Sequence, residues 1–378
     1  MYFFVLLRIK LNIFTRMEKL FLLDAYALIY RAYYAFIKNP RINSKGFNTS
    51  AIMGFVNTLE DVLKKESPTH IGIAFDPSGP TFRHEAYEQY KAQREETPEA
   101  IRLSVPIIKD IIRAYRIPIL EVNGFEADDV IGTLATDAGK RGITTYMMTP
   151  DKDYGQLVSD CVFMYRPKFG DKEFEVLGVN EVKAKFDIQT PAQVIDMLGL
   201  MGDTADNIPG CPGVGEKTAQ KLIAQFGSIE NLLAHTDQLK GAIKNKIEAN
   251  KEQISFSKFL ATIKTDVPIA LDMEALARKE PDEEELRRLF EELEFRTLID
   301  RVLKNAKPSA TPARPVSQPD LFGFFAAEGT EDAKKSNLTR LQDLKYDYQL
   351  VDTEQKINEL LQLLFTSDFF ALDTETTG

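Results

Sequence analysis

Nine acidic residues stand where a folded chain could bring them together: Asp24, Asp76, Glu126, Asp128, Asp129, Asp151, Asp153, Asp203 and Asp206. Several directly follow apolar, strand-like runs: FLLD ending at Asp24, IGIAFD ending at Asp76 and TTYMMTPD ending at Asp151. In an open parallel sheet the carboxyl ends of the strands share one edge, and ligands bind there. So much like charge in one place is costly unless cations neutralise it. Carboxylates without His or Cys suit the hard ions Mg²⁺ and Mn²⁺. Two such ions about 4 Å apart supply what phosphodiester hydrolysis needs: an activated water, an in-line approach and a stabilised leaving oxygen. Any one of these residues alone could equally be a helix cap, and Glu126 to Asp129 does open a helix.

Composition narrows the field. The chain has 378 residues, enough for two or three domains with buried cores. Its net charge of −10 argues against a generally basic nucleic-acid coat. Phosphate contacts must then come from local Lys and Arg groups. The two cysteines, Cys161 and Cys211, form no CxxC, which argues against a disulfide framework and a thiolate zinc site and fits a reducing cytoplasm. Residues 1–16 (MYFFVLLRIKLNIFTR) are apolar and basic. Arg8 and Lys10 interrupt the run and no small-residue cleavage site follows, so an N-terminal extension is expected rather than a signal peptide or membrane anchor.

The elements that must position the acids are legible. Residues 20–24 read as a buried strand followed by a helix through Phe36. Ala51 to Lys65 has helical spacing, and His70 to Phe75 is a second strand. Ser104 to Tyr115 reads as helix, Ile117 to Val122 as strand, Glu126 to Lys140 as helix and Ile143 to Met148 as strand. Strands alternating with helices predict a doubly wound, mostly parallel α/β sheet. After Val179 only short helices are expected, punctuated by glycines from Gly210 to Gly215. From Ala306 to Lys335, Pro308, Pro312, Pro315 and Pro319 sit among Ser, Thr and charged residues, a linker composition.

Five stretches, in order, resemble the 5′ nuclease domain of the bacterial DNA polymerase I family, which belongs with the flap endonucleases. They are LFLLDAYALIYRAYYAF, FDPSGPTFRHEAYEQYKAQREETPE, GFEADDVIGTLA, TPDKDYGQLVSD and GDTADNIPGCPGVGEKTAQKLIAQFGS. The likeness runs from about Met17 to Val302. It implies that Asp24, Asp76, Glu126 and Asp128 surround a first ion, with Asp128 as bridge. Asp151, Asp153 and Asp206 would surround a second, with Asp129 and Asp203 acting directly or through water. It implies a helical arch near residues 80–105, where Lys91 and Arg94 match a YKxxR pattern and would stabilise the reacting phosphate. Arg31 could reach the same phosphate, Arg83 would join the DNA-binding set, and Tyr87 and Tyr90 could equally stack on unpaired bases or pack within the protein. Read without the resemblance, these cations and their interleaved glutamates would form a solvated amphipathic helix.

PGCPGVGEKTAQKL resembles a helix-hairpin-helix-type element. Gly213 and Gly215 permit a tight turn, the following helix start can face a phosphate, and Thr218, Lys217 and Lys221 complete the DNA-binding set. In the family this element often holds a K⁺ ion. Contacts of this kind read phosphate and shape rather than sequence. At the C-terminus, FFALDTETTG carries Asp373 and Glu375 and resembles the first metal motif of a proofreading 3′–5′ exonuclease domain. Gln318, Leu321 and Phe322 in the linker resemble a QxxLF-type peptide that docks on the sliding clamp.

The expected organisation is therefore an extension (1–16), a catalytic α/β domain (17–190), a helix-hairpin-helix-type subdomain (191–303), a linker (304–345) and the start of a further domain (346–378). The expected protein is a monomeric, cytoplasmic, structure-specific 5′ nuclease acting on DNA flaps, nicks and RNA primers, with no membrane partner. A phosphatase using Asp24 as nucleophile would need a DxD-type motif, and Asp24-Ala25-Tyr26 lacks it. A non-catalytic DNA-binding module would not need so many acids. A proofreading exonuclease would need more than its first motif.

Overall fold

A computed structural model of the chain describes residues 18–167 and 174–303. The extension 1–16, the linker with Gln318, Leu321 and Phe322, and the segment bearing Asp373 and Glu375 lie outside the described residues. β1 (Lys19–Asp24) is apolar throughout its middle. Because strand side chains alternate between faces, Leu20 and Leu22 enter one core while Phe21 and Leu23 enter the other. Both faces must therefore be covered, as in a doubly wound fold.

The sheet order is β3 (Ile119–Leu120), β2 (His70–Ala74), β1, β4 (Thr144–Met148), β5 (Val162–Pro167), β6 (Phe174–Leu177). The first five strands are parallel; β6 runs antiparallel to β5. The mostly parallel, doubly wound sheet expected from the alternating pattern is present. The strand expected at 117–122 shortens to two residues, and β5 and β6 were not anticipated. β6 (FEVL) is an edge strand with half-exposed Phe174 and Glu175, so it offers no apolar alternation to read.

Helices α1 (Ala25–Ala35), α2 (Ser50–Lys65), α3 (Phe82–Ala86), α4 (Glu99–Ala114) and α5 (Ala127–Lys140) connect the strands. α1 and α2 approach closely: a Cβ at Gly54 would lie 2.6 Å from Ala32 Cβ. The expected helical arch is helical only at its ends; residues 87–98 between α3 and α4 are turns and irregular chain. After β6 come α6 (Val179–Phe186), α7 (Gln193–Met201), α8 (Glu216–Phe226), α9 (Ile229–Ala234), α10 (Gly241–Ala249), α11 (Lys251–Ala261) and α12 (Met273–Leu276). Apolar residues of α7 to α11, such as Met197, Leu222 and Ile254, share one core with Leu20, Leu22 and α5. α13 (Glu283–Glu292) and α14 (Arg296–Val302) return to the other face, where Leu286, Phe290 and Leu298 pack with α1, α2 and α4. The helical stretch 191–303 is thus split between the two faces of the sheet.

Candidate active site

The strand order places the acids. β1 lies between β2 and β4, the point where the order reverses. Asp24 ends β1 in register with Ala74 of β2, and Leu23 pairs with Met148 of β4. Asp76 and Asp151 follow those two strands, so three carboxylates share the carboxyl edge of three adjacent strands. Asp24 Oδ1 accepts from Ala27 N at 3.0 Å and caps α1. Asp76 Oδ1 accepts from Ala127 N at 2.8 Å, which draws the start of α5, with Glu126 and Asp128, to the same edge. Asp151 Oδ1 accepts from Asp153 N at 3.0 Å, opening a 3-10 turn (Lys152–Leu157).

Asp203 and Asp206 arrive from the loop between α7 and α8. Reciprocal backbone bonds close it: Asp203 N to the Ile208 carbonyl at 2.9 Å and Ile208 N to the Asp203 carbonyl at 2.8 Å. Its base demands glycine. Gly202 and Gly210 both have positive φ (75° and 60°), and a Cβ at Gly210 would lie 2.3 Å from Gly202 N.

The electrostatics are those of crowded carboxylates. Burial, then repulsion from Asp76 and Asp151, lifts the Asp24 pKa to about 7. Burial also raises Asp76 and Asp151. Asp128 is pushed well up by burial and by Asp129 and Glu126; Asp153 by burial and by Asp151 and Asp203. Glu126 and Asp206 shift the other way: burial opposes their charge, but Lys91 with Arg83 or Arg94 more than compensates.

Two buried carboxylate oxygens, Asp128 Oδ1 and Asp153 Oδ1, have no hydrogen-bond partner. A buried acceptor left unpaired is costly and calls for an ion or an ordered water. Asp128 lies on the α5 side of the cluster and Asp153 on the β4 side; among the described residues the α5 side is where three carboxylates come close enough to hold a hard divalent ion. Oxygens of Glu126, Asp128 and Asp129 lie within 4.8 Å of one another.

Over this edge lies the segment between α3 and α4. Lys91 Nζ is 2.5 Å from Glu126 Oε1 and 3.8 Å from Asp206 Oδ2. Arg94 Nη2 is 2.5 Å from Asp206 Oδ1. Lys91 N donates to the Asp206 carbonyl at 3.1 Å, and Asn207 Nδ2 donates to the Gln89 carbonyl at 2.7 Å. Lys91 and Asn207 both adopt left-handed backbone (φ 56° and 57°), an uncommon state for residues other than glycine.

Arg83, Tyr87, Tyr90 and Asp129 make their contacts within the protein. Tyr90 is 3% exposed, and its hydroxyl donates to Glu126 Oε2 at 3.0 Å and lies 3.2 Å from Asp206 Oδ2, so it has no face for a base. Tyr87 packs edge-on against Phe256. Arg83 is buried among Glu126, Asp129 and backbone carbonyls and cannot reach a phosphate. Asp129, whole and buried, is the partner of Arg83 rather than an open ligand. Arg31 is half-buried with its guanidinium 5.7 Å from the Phe174 ring centroid.

Other residues of the cluster escaped the sequence reading. Thr149 Oγ1 and the Tyr154 hydroxyl approach Asp24 Oδ2 at 3.3 and 3.4 Å. Lys152 Nζ is 2.7 Å from Asp203 Oδ2. Their only signal was a place in the TPDKDYGQLVSD stretch. At the hairpin, Gly213 has φ 73° and Gly215 caps α8, with Lys217 and Lys221 exposed and Thr218 half-buried. Lys246 Nζ donates to the Gly213 carbonyl at 3.2 Å, a contact that α10 supplies from outside the motif.

Known proteins match this geometry and sequence. Residues 19–187 match the 5′-3′ exonuclease N-terminal resolvase-like domain, and 189–284 the 5′-3′ exonuclease C-terminal SAM fold. The second match ends where α13 begins its return to the α/β core. A DNA polymerase I of Bacillus caldotenax is 40% identical over 303 residues, 80% of this chain and 34% of that protein. The Bacillus subtilis one is 42% identical over 290 residues (76% and 32%), and that of Chloroflexus aurantiacus 36% over 375 residues (95% and 39%). The chain thus spans about a third of the length of these relatives. The T5 5′-exonuclease has a similar fold, with a TM-score of 0.56 at 21% identity over 72% of this chain and 99% of that one. Taken with the acidic edge of the sheet and the helical segment behind it, the two consecutive matches show that the chain belongs to the 5′-3′ exonuclease family.

Proposed function

We propose that the chain is a structure-specific 5′ nuclease that cleaves DNA flaps, nicked ends and displaced RNA primers by a two-metal-ion mechanism, as the N-terminal part of a DNA polymerase I. The observation that carries this reading is the buried acidic edge with an oxygen on each side that accepts no hydrogen bond, covered by Lys91 and Arg94. The T5 neighbours support it: one was solved with zinc, another as a flap endonuclease with DNA and metal ions.

Asp24, Asp76, Glu126 and Asp128 would hold one Mg²⁺ or Mn²⁺, and Asp151, Asp153, Asp203 and Asp206 the other. Such ions, once bound, supply an activated water and neutralise charge on the reacting phosphate. The chain's own residues do the rest. Lys91 and Arg94, freed from Glu126 and Asp206, would bind the non-bridging phosphate oxygens, where preorganised cations act most strongly. Asp24 is fixed by Ala27 N, Thr149 and Tyr154, and Asp76 by Ala127 N, so ligand geometry is set before ions arrive. Lys217, Thr218, Lys221 and the Gly213–Gly215 turn would grip the duplex backbone, with K⁺ at the hairpin carbonyls. Gln318, Leu321 and Phe322 would tether the enzyme to a sliding clamp. The protein would act as a monomer in the cytoplasm; among the described residues no helix is long and apolar enough to cross a membrane.

The test is Mg²⁺-dependent cleavage of a 5′-labelled flap duplex beside a blunt duplex. Release of 5′-phosphate products from the flap alone supports the reading; no cleavage in Mg²⁺ or Mn²⁺ removes it.

A further inference from the structure

Arg83 and Asp129 saturate one another beneath the cluster. Arg83 is 1% exposed, and every N–H it carries has an acceptor. Nε donates to the Leu260 carbonyl at 2.9 Å; Nη1 donates to Glu126 Oε2 at 2.9 Å and Asp129 Oδ2 at 2.8 Å. Nη2 donates to Asp129 Oδ1 and to the Thr262 carbonyl, both at 2.8 Å. A guanidinium has five donors in a fixed fork, and all are used.

Asp129 is filled in the same way. Its Oδ1 accepts from Arg83 and from Lys264 N at 2.8 Å, and its Oδ2 from Arg83 and from Glu126 N at 3.1 Å. A carboxylate offers about four acceptor positions, so none remains for an ion. Its neighbour Asp128 differs: its buried Oδ1 accepts no hydrogen bond, and its contact with Arg83 Nη1 is an ion pair at 3.9 Å. Glu126 lies between. Its Oε2 accepts from Arg83 and Tyr90, while its Oε1 accepts from Lys91.

We propose that Arg83 is a positioning residue for the metal site, an inference that rests on the metal-binding reading above. It withdraws Asp129 from the ligand set and turns Glu126 so that Oε1 faces the ion once Lys91 leaves. Leu260 lies in the last turn of α11 and Thr262 caps it. Helix C-terminal carbonyls carry partial negative charge and attract a cation. Arg83 therefore ties the orientation of Glu126 to the end of a helix in the segment that would grip DNA.

The experiment is Mn²⁺ titration of the metal-stripped full chain, followed by electron paramagnetic resonance. Wild-type protein that binds no Mn²⁺ would overturn the metal reading itself. Given wild-type binding, Arg83→Lys keeps the charge but loses the fork, and Mn²⁺ affinity should fall about 10- to 100-fold. Nicked-duplex affinity in EDTA should stay within about twofold, with its salt slope unchanged. Asp129→Asn should show a similar Mn²⁺ loss, and the double variant should be no worse than either single one, because the two residues act as one unit. Wild-type Mn²⁺ affinity in Arg83→Lys, losses that add, or a salt slope smaller by about one would each refute the assignment. If Arg83→Lys does not fold, Arg83→Gln with Asp129→Asn takes its place: it keeps the net charge, leaves Glu126 paired with Lys91 and costs Asp128 only a 3.9 Å ion pair. A folded double variant with wild-type Mn²⁺ affinity would refute it equally.

Discussion

Lys91 Nζ lies 2.5 Å from Glu126 Oε1, the oxygen of that carboxylate not engaged by Arg83 and Tyr90. A residue expected to meet the reacting phosphate thus sits on an expected metal ligand. Burial works against the Lys91 ammonium, yet Glu126, Asp206 and Asp128 hold its pKa above the ordinary lysine value. Lys91 is therefore a built-in counter-ion to Glu126 and Asp206, and on the proposed function a bound metal would displace it.

Lys91→Ala should consequently act in opposite directions on binding and catalysis. Without DNA, Mn²⁺ affinity should rise several-fold, because a competing cation is gone. Single-turnover flap cleavage should fall by about 10²-fold or more, as when one preorganised charge is removed. The titration and a quenched-flow time course check the two halves; weaker Mn²⁺ binding would show that Lys91 does not compete.

Stability should depend on pH with an unusual sign. The Asp24 pKa is about 7 in the fold against 3.8 for an ordinary aspartate, and Asp128 and Asp153 shift the same way. Between those values the folded state holds protons that the unfolded chain has released, so stability falls as pH rises through 7. Glu126 and Asp206, with lowered values, oppose this only at lower pH. In EDTA the Tm should be lower at about pH 8 than at about pH 5.5, and Mg²⁺ should narrow the gap by stabilising most at the higher pH. Thermal melts measure this; a gap insensitive to Mg²⁺ would count against ions at these carboxylates.

Lys217→Ala should affect grip rather than chemistry. Lys217 is exposed in the first turn of α8 beside the Gly213–Gly215 turn. Its loss should weaken duplex binding and reduce the salt slope by about one, with little change in the single-turnover rate at saturation. An unchanged slope would place the backbone contact elsewhere.

A peptide spanning Ser317 to Ala326 should bind the cognate sliding clamp at micromolar concentration through Leu321 and Phe322. Alanine at both positions should abolish binding in a fluorescence titration. Equal binding of the two peptides would remove the clamp as a partner.

The strand-end acids were legible because a buried strand is an apolar run and its end is where the run stops: FLLD and TTYMMTPD announce Asp24 and Asp151 directly. The order of motifs supplied the rest of the set. The role of Arg83 was not legible. Its partners come from three distant places, Glu126 and Asp129 on α5 and carbonyls at the end of α11, and only packing unites them. Tyr90 could stack on a base or pack, and its sequence neighbours do not decide between them; its buried hydroxyl on Glu126 favours packing. β6 was missed because an edge strand need not alternate, and the return of α13 and α14 because an amphipathic helix does not say which core it covers.

The most direct test is flap cleavage by Asp128→Ala. Asp128 carries a buried oxygen with no hydrogen bond beside the saturated Asp129; its removal loses a 3.9 Å ion pair with Arg83 but relieves its burial and the repulsion from Asp129 and Glu126. The variant should fold at least as stably as the parent in EDTA and should lose Mg²⁺-dependent cleavage of the 5′ flap by about 10³-fold or more, the scale of losing a metal-assisted step. Cleavage at the wild-type rate by a folded Asp128→Ala protein would contradict the metal-ion account of this site.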